Sequence, residues 1–229
     1  MKQTVLNLNA QHSRFTSEAF KAMRANVQFC GPDVRAIVVT GCLPNDGKST
    51  TSMGLAVALA SAGKKTLLVD ADLRKSVMIR RYSDITDAVG FSELLSHQAA
   101  LEDVLYKTQF DKLDVIFSGQ YPANPAELLS SSSLKAFVDE RKKEYDYIIV
   151  DTPPLGIVVD AAIVASVCDS ALLVIPEGKI KTDMALGVKA QLEKSGARII
   201  GAVLNSTNKK SPRYSKGYYG KYSSEYGVK

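Results

Sequence analysis

The chain has no tryptophan, two histidines (His12 and His97) and three cysteines (Cys30, Cys42 and Cys168). Each scarcity removes a class of function. Two histidines exclude a histidine-rich metal centre. Three scattered cysteines, odd in number and without a C-x-x-C pair, argue against a disulfide framework or zinc site and for a reducing compartment. No run approaches the ~18 apolar residues of a membrane-spanning helix. The opening MKQTVLNLNAQHSRF also lacks the apolar stretch of a signal peptide. A cytoplasmic location is expected. Most of the chain also lacks excess charge. The net charge is +5 over 229 residues. From residue 208 onward, six basic residues (Lys209, Lys210, Arg213, Lys216, Lys221 and Lys229) meet a single acid, Glu225. Residues 1–207 are therefore neutral. They lack the basic face that duplex binding requires, and no nucleic-acid partner is expected.

What is present is an alternation. Short apolar runs rich in Val, Ile and Leu occupy residues 36–41, 65–70, 113–118, 147–151, 171–176 and 199–205. They are mostly not alternating, as in strands of a parallel sheet buried on both faces. Helical patterns separate them at residues 50–61, 134–144 and 183–194. This order predicts an α/β fold with a doubly wound, mostly parallel sheet. Residues 16–29 read as a further helix, with Ser17 or Thr16 as cap. Ala19, Phe20, Met23 and Val27 share one face of it, and Glu18, Lys21 and Arg24 fall on another. We expect one domain over residues 1–207 and a mobile tail over 208–229.

The first run leads into TGCLPNDGKSTT and then a helix. Gly47-Lys48-Ser49 is the diagnostic end of a phosphate-binding loop of the P-loop NTPases. Backbone N–H groups of such a loop and of the helix N-terminus wrap phosphates. Lys48 brings a charge to the β and γ oxygens, and the Ser49 hydroxyl ligates Mg²⁺. Asn45, Asp46, Gly47 and Thr50 complete the expected ATP cradle, although Thr50 reads equally as a first-turn helix residue. The Walker pattern is deviant: Cys42 stands where its first glycine belongs, and Gly41 is one position early. The second run ends LLVDADLR. Asp70 and Asp72, two apart, project to one side of a strand end, for metal binding plus a general base, or with one of them merely capping the next segment. The fourth ends YIIVDTPP, where Asp151 is the second metal-side acid.

Together GCLPNDGKST, LLVDADLR and IIVDTPP resemble the three nucleotide motifs of the bacterial tyrosine kinases of capsule and exopolysaccharide synthesis. The resemblance continues at NPAELL, at GAVLN and in the tyrosine-rich end. It implies a fold shared with partition and septum-positioning ATPases. The signature lysine of those ATPases is absent, because Leu43 holds its place. It also implies that Lys48 binds phosphate, that Ser49, Asp72 and Asp151 serve Mg²⁺, and that Asp70 takes the acceptor's proton. Arg74 would steady the phosphates or Asp70, and Asn205 would lie beside the adenine. Glu18, Lys21 and Arg24 resemble the family's E-x-x-R-x-x-R assembly motif, with Lys21 at its middle place. The implied partners are a ring of like subunits, a membrane-spanning activator (chain-length regulator) that recruits the chain to the inner membrane face, and a cognate phosphotyrosine phosphatase.

The resemblance also gives the tail a purpose. Five of the ten tyrosines lie there, Tyr214, Tyr218, Tyr219, Tyr222 and Tyr226, with no aliphatic residue beside them until Val228. A tyrosine ordinarily buries its ring. These are expected to be autophosphorylation sites, delivered to a neighbouring subunit. The competing readings are a binding tail of aromatics and lysines and, for the whole chain, a nucleotide-switch positioning ATPase that makes no phosphotyrosine.

Overall fold

The computed structural model describes residues 2–7 and 18–206. The tail with its five tyrosines, and the two expected cap residues Thr16 and Ser17, lie outside the described residues. Eight strands form one sheet: β1 (Lys2–Gln3), β2 (Ala36–Gly41), β3 (Thr66–Asp70), β4 (Tyr106–Lys107), β5 (Leu113–Ile116), β6 (Tyr147–Asp151), β7 (Ser170–Pro176) and β8 (Arg198–Asn205), in the order β1-β4-β5-β3-β6-β2-β7-β8. All pairings are parallel except β4 with β5. The expected doubly wound, mostly parallel sheet is therefore present. The six predicted strands appear with ends shifted by two residues at most. The added β1 and β4 are two residues each, too short to leave a periodic signal.

The helices are α1 (Glu18–Phe29), α2 (Lys48–Ser61), α3 (Met78–Tyr82), α4 (Phe91–Leu95), α5 (Leu101–Val104), α6 (Pro125–Leu129), α7 (Ser132–Glu144), α8 (Asp160–Ala165) and α9 (Thr182–Lys194). Burial on both faces of the central strands explains their unbroken apolar runs. Ile37, Val39, Leu68 and Ile149 point to a core shared with Leu55, Leu59 and Val27. Val38, Leu67, Val69 and Val150 point to the other, with Leu134, Val138, Val164 and Leu192. Helix α2 is buried nearly throughout, which suits its small residues. A Cβ at Gly54 would lie 2.2 Å from the Phe20 ring, so the glycine admits α1 onto α2. Phe20, Met23 and Val27 pack as expected, whereas Ala19 is exposed.

The order β3-β6-β2 brings the carboxyl ends of three strands side by side. Asp70 pairs with Asp151, and Val39 with Asp151 on the other flank. Open α/β sheets bind ligands at such ends.

Candidate active site

The loop from β2 to α2 is held by its own side chains. The Asp46 carboxylate turns inward and accepts the Cys42 and Leu43 N–H groups at 2.9 and 2.7 Å. Expected among the ligand-facing residues, it instead staples the loop. Asn45, exposed at φ 64°, takes the left-handed turn that asparagine tolerates. Gly47 follows at φ 93°, and a Cβ there would lie 1.8 Å from Asn205 Nδ2. That same amide donates to the Asp46 carbonyl at 2.9 Å. Asn205, at the end of β8, thus braces the loop from outside. Lys48 Nζ curls back to the Leu43 carbonyl at 3.0 Å. Burial lowers the lysine's pKa, against the pull of Asp151 and Asp46. Cys42 is buried, and burial, then Asp46, pushes its thiol up; little of it is therefore the reactive thiolate. The Thr50 hydroxyl meets the Tyr82 hydroxyl at 3.1 Å. A groove of about 600 Å³ opens beside Thr50 and Asn205, walled by Phe20 and Met23 of α1 and Val203 of β8.

Both inner acids are buried. Asp151 accepts the Ser52 hydroxyl at 2.9 Å and the Ser49 hydroxyl as well. Burial raises its pKa to about 6 despite these donors and Lys48. Burial, then the charge of Asp151, holds Asp70 well above the carboxylate range. The Ser76 hydroxyl donates to Asp70 Oδ2, and the Asp72 N–H to Oδ1 at 3.2 Å. Asp72 is less buried. Its Oδ1 caps the following turn through the Arg74 and Lys75 N–H groups at 3.2 and 2.9 Å.

Arg74 does not reach Asp70. Its guanidinium forks onto Asp160 at 2.7 and 2.9 Å, where Asp160 opens α8 with no exposed surface. The Asp70–Arg74 segment is thereby tied to the chain beyond Asp151. Ser52, Ser76 and Asp160 were not singled out in the sequence. Ser52, one helical turn after Lys48, carried a spacing signal; Asp160 and Ser76 carried none. The assembly triad also divides. Glu18 and Lys21 pair in the open at 2.6 Å, while Arg24 turns to the Ala58 carbonyl of α2 at 3.3 Å.

A hydroxyl and two carboxylates beside a buried lysine are hard oxygen donors suited to Mg²⁺. Among the described residues no cluster of three His, Cys, Asp or Glu makes a protein-only metal cage. Among the described residues, no helix is long and apolar enough to cross a membrane.

The family model described as AAA domain matches residues 36–200. The tyrosine-protein kinase CpsD of Streptococcus agalactiae is 40% identical over 218 residues, covering 95% of this chain and 94% of that protein. The crystal structure of the chimerical protein CapA2B2 superposes with a TM-score of 0.81 at 33% identity, covering 91% of this chain and 95% of that one. The septum site-determining protein MinD of Pyrococcus horikoshii, complexed with Mg-ADP, superposes at 0.65 with 27% identity, over 78% of this chain and 72% of that one. A P-loop fold, two buried acids paired at its strand ends and near-complete coverage at this identity converge: the chain belongs to the bacterial tyrosine kinase family.

Proposed function

We propose that the chain is an ATP- and Mg²⁺-dependent protein-tyrosine kinase that phosphorylates its own C-terminal tyrosines between subunits. The observation that carries this reading is the juxtaposition of Asp70 with Asp151 beside Lys48, at the mouth of the phosphate loop. Bound Mg·ATP supplies the electrophilic γ-phosphorus. The loop N–H groups and Lys48 would hold the phosphates, Ser49, Asp72 and Asp151 would serve the metal, and Asn205 would border the base beside the groove. Asp70, in its ionised form, would accept the phenolic proton as the tyrosine oxygen bonds to phosphorus and the bond to ADP breaks. A general base of this kind contributes about 10²–10⁴ in rate. Arg74 acts through Asp160 to hold Asp70 and Asp72 in place.

Residues 1–207 act as one catalytic domain and residues 208–229 as the substrate-bearing tail. In the assembly read here, Glu18, Lys21 and Arg24 of α1 contribute to a ring of subunits. A membrane-spanning activator brings the ring to the inner face of the membrane, and a phosphatase resets it. The output is control of capsular or extracellular polysaccharide assembly. The relatives named as tyrosine-protein kinases support the kinase activity in this reading.

The test is mass spectrometry of Tyr214 to Tyr226 after incubation with Mg²⁺ and ATP, alone and with the activator's cytoplasmic end fused on. Phosphate on those tyrosines, lost in Lys48→Met, is the expected result. Steady ADP production with an unmodified tail would sink the kinase reading in favour of a nucleotide switch like the septum-positioning ATPases.

A further inference from the structure

The segment between β5 and α6 carries Tyr121, a residue outside the roles assigned so far. The residue is 56% exposed, yet it is tied on both sides. The hydroxyl donates to the Ser76 carbonyl at 3.2 Å, and the Ser76 hydroxyl donates to Asp70. The phenol is thus one residue away from the acid that would receive the acceptor's proton. At the other end, the Gln120 N–H donates to Glu93 Oε1 at 3.0 Å. Glu93 Oε2 in turn accepts from Gly90 N–H and the Ser92 hydroxyl, both at 2.9 Å. Gly119 lets the backbone pass, since its φ is +77° and a Cβ there would meet Glu93 Oε2 at 2.0 Å. Burial, then the charges of Asp70 and Asp72, holds the phenol's pKa above the ordinary value.

An ordinary surface tyrosine needs neither tether. A tyrosine that is more than half exposed yet already held in place is prepared for stacking, because the entropy of ordering it has been lost on folding. Aromatic rings prefer offset or edge-on contact, and an aromatic face also attracts the ammonium of a lysine. The tail offers both partners, tyrosines interleaved with lysines.

We infer that Tyr121 is the acceptor platform: the incoming tyrosine lays its ring against that of Tyr121, which aims the acceptor hydroxyl at Asp70. The substrate class is a tyrosine in a polar segment of small and basic residues. The inference rests on the kinase reading for the identity of the acceptor.

The test uses the full chain with Mg²⁺, a non-hydrolysable ATP analogue and a fluorescein-labelled peptide of residues 213–229. Tyr121→Ala is expected to weaken peptide binding about two- to tenfold, the range of an aromatic pair. Tyr121→Phe keeps the ring but loses the tether to Ser76, and is expected to fall between the parent and Tyr121→Ala. ADP affinity, measured on the same proteins, separates a platform from general damage. Equal peptide binding by Tyr121→Ala, or parallel losses of peptide and ADP binding, overturns the inference. Phosphate found on Tyr121 itself after incubation with ATP also overturns it, since the residue would then be an acceptor. If the peptide binds in a Tyr121-dependent way but receives no phosphate from ATP even with the activator's cytoplasmic end fused on, the kinase reading fails and Tyr121 stands only as a surface that binds the tail. Transfer to the peptide with Tyr121-independent binding leaves the kinase reading and removes the platform.

Discussion

Arg74 and Asp160 share an ion pair but not an environment. Asp160 is wholly buried, whereas 38% of the Arg74 side chain is exposed. Removing the exposed partner strands a buried charge; neutralising the buried partner leaves a solvated one. Arg74→Ala is therefore expected to cost about 3 kcal/mol and Asp160→Asn about 1 kcal/mol, read by urea unfolding of the ligand-free chain. Equal costs, or the reverse order, would show that the pair does not hold this segment. Gly47 supports a second expectation at the same scale. Gly47→Ala meets both a positive φ and the Asn205 amide, costing about 1–3 kcal/mol for the backbone alone. Asn205→Ala removes the clash but not the φ. A double-mutant cycle should then be less than additive, by about 1 kcal/mol. The glycine was legible in the sequence as part of Gly-Lys-Ser, but its reason was not, because Asn205 is brought to it from the last strand.

Helix α4 depends on one carboxylate. Glu93 accepts the Gly90 N–H that would otherwise go unpaired at the helix start, and it also holds the Tyr121 segment through Gln120. Burial pushes its pKa up, but the N–H donors of Gln120 and Gly90 outweigh it, and the net direction is downward from 4.5. A depressed carboxyl contributes stability above its unfolded value and loses it as pH falls through its folded value. Glu93→Gln should therefore cost about 1 kcal/mol at pH 7 and progressively less below about pH 4. Thermal unfolding of both proteins between pH 7 and pH 3.5 checks this; a constant difference across the range would remove the ionised carboxylate from the account. The short helices α3 to α6 and α8 escaped the sequence reading. Four to six residues make barely one turn, too little for a 3.6-residue period to repeat. The long α2, α7 and α9, with several turns each, were legible to within two residues.

On the scale of the whole molecule, the net charge falls in one stretch of the sequence. The +5 of the chain resides in residues 208–229. Each phosphotyrosine adds about −1.5 to −2. Modification of all five tyrosines would take the tail from +5 to about −3 to −5. A tail drawn to a site of carboxylates and phosphates would then be repelled by it. The assembly should loosen on full phosphorylation, seen as slower sedimentation. An unchanged sedimentation profile after complete modification would refute the switch.

The sequence by itself determined the layers of this protein and the chemistry at its strand ends. Buried parallel strands need unbroken apolar runs, and a phosphate loop needs glycine, lysine and serine in order; both are local demands. Only the tertiary structure decided which partners those residues take. Arg74 chose Asp160 over Asp70, and Tyr121 came to rest beside Ser76. These contacts join residues 86 and 45 positions apart along the chain. Spacing carries no record of them, because the sheet order that brings β3, β6 and β2 together is set by packing across the whole core.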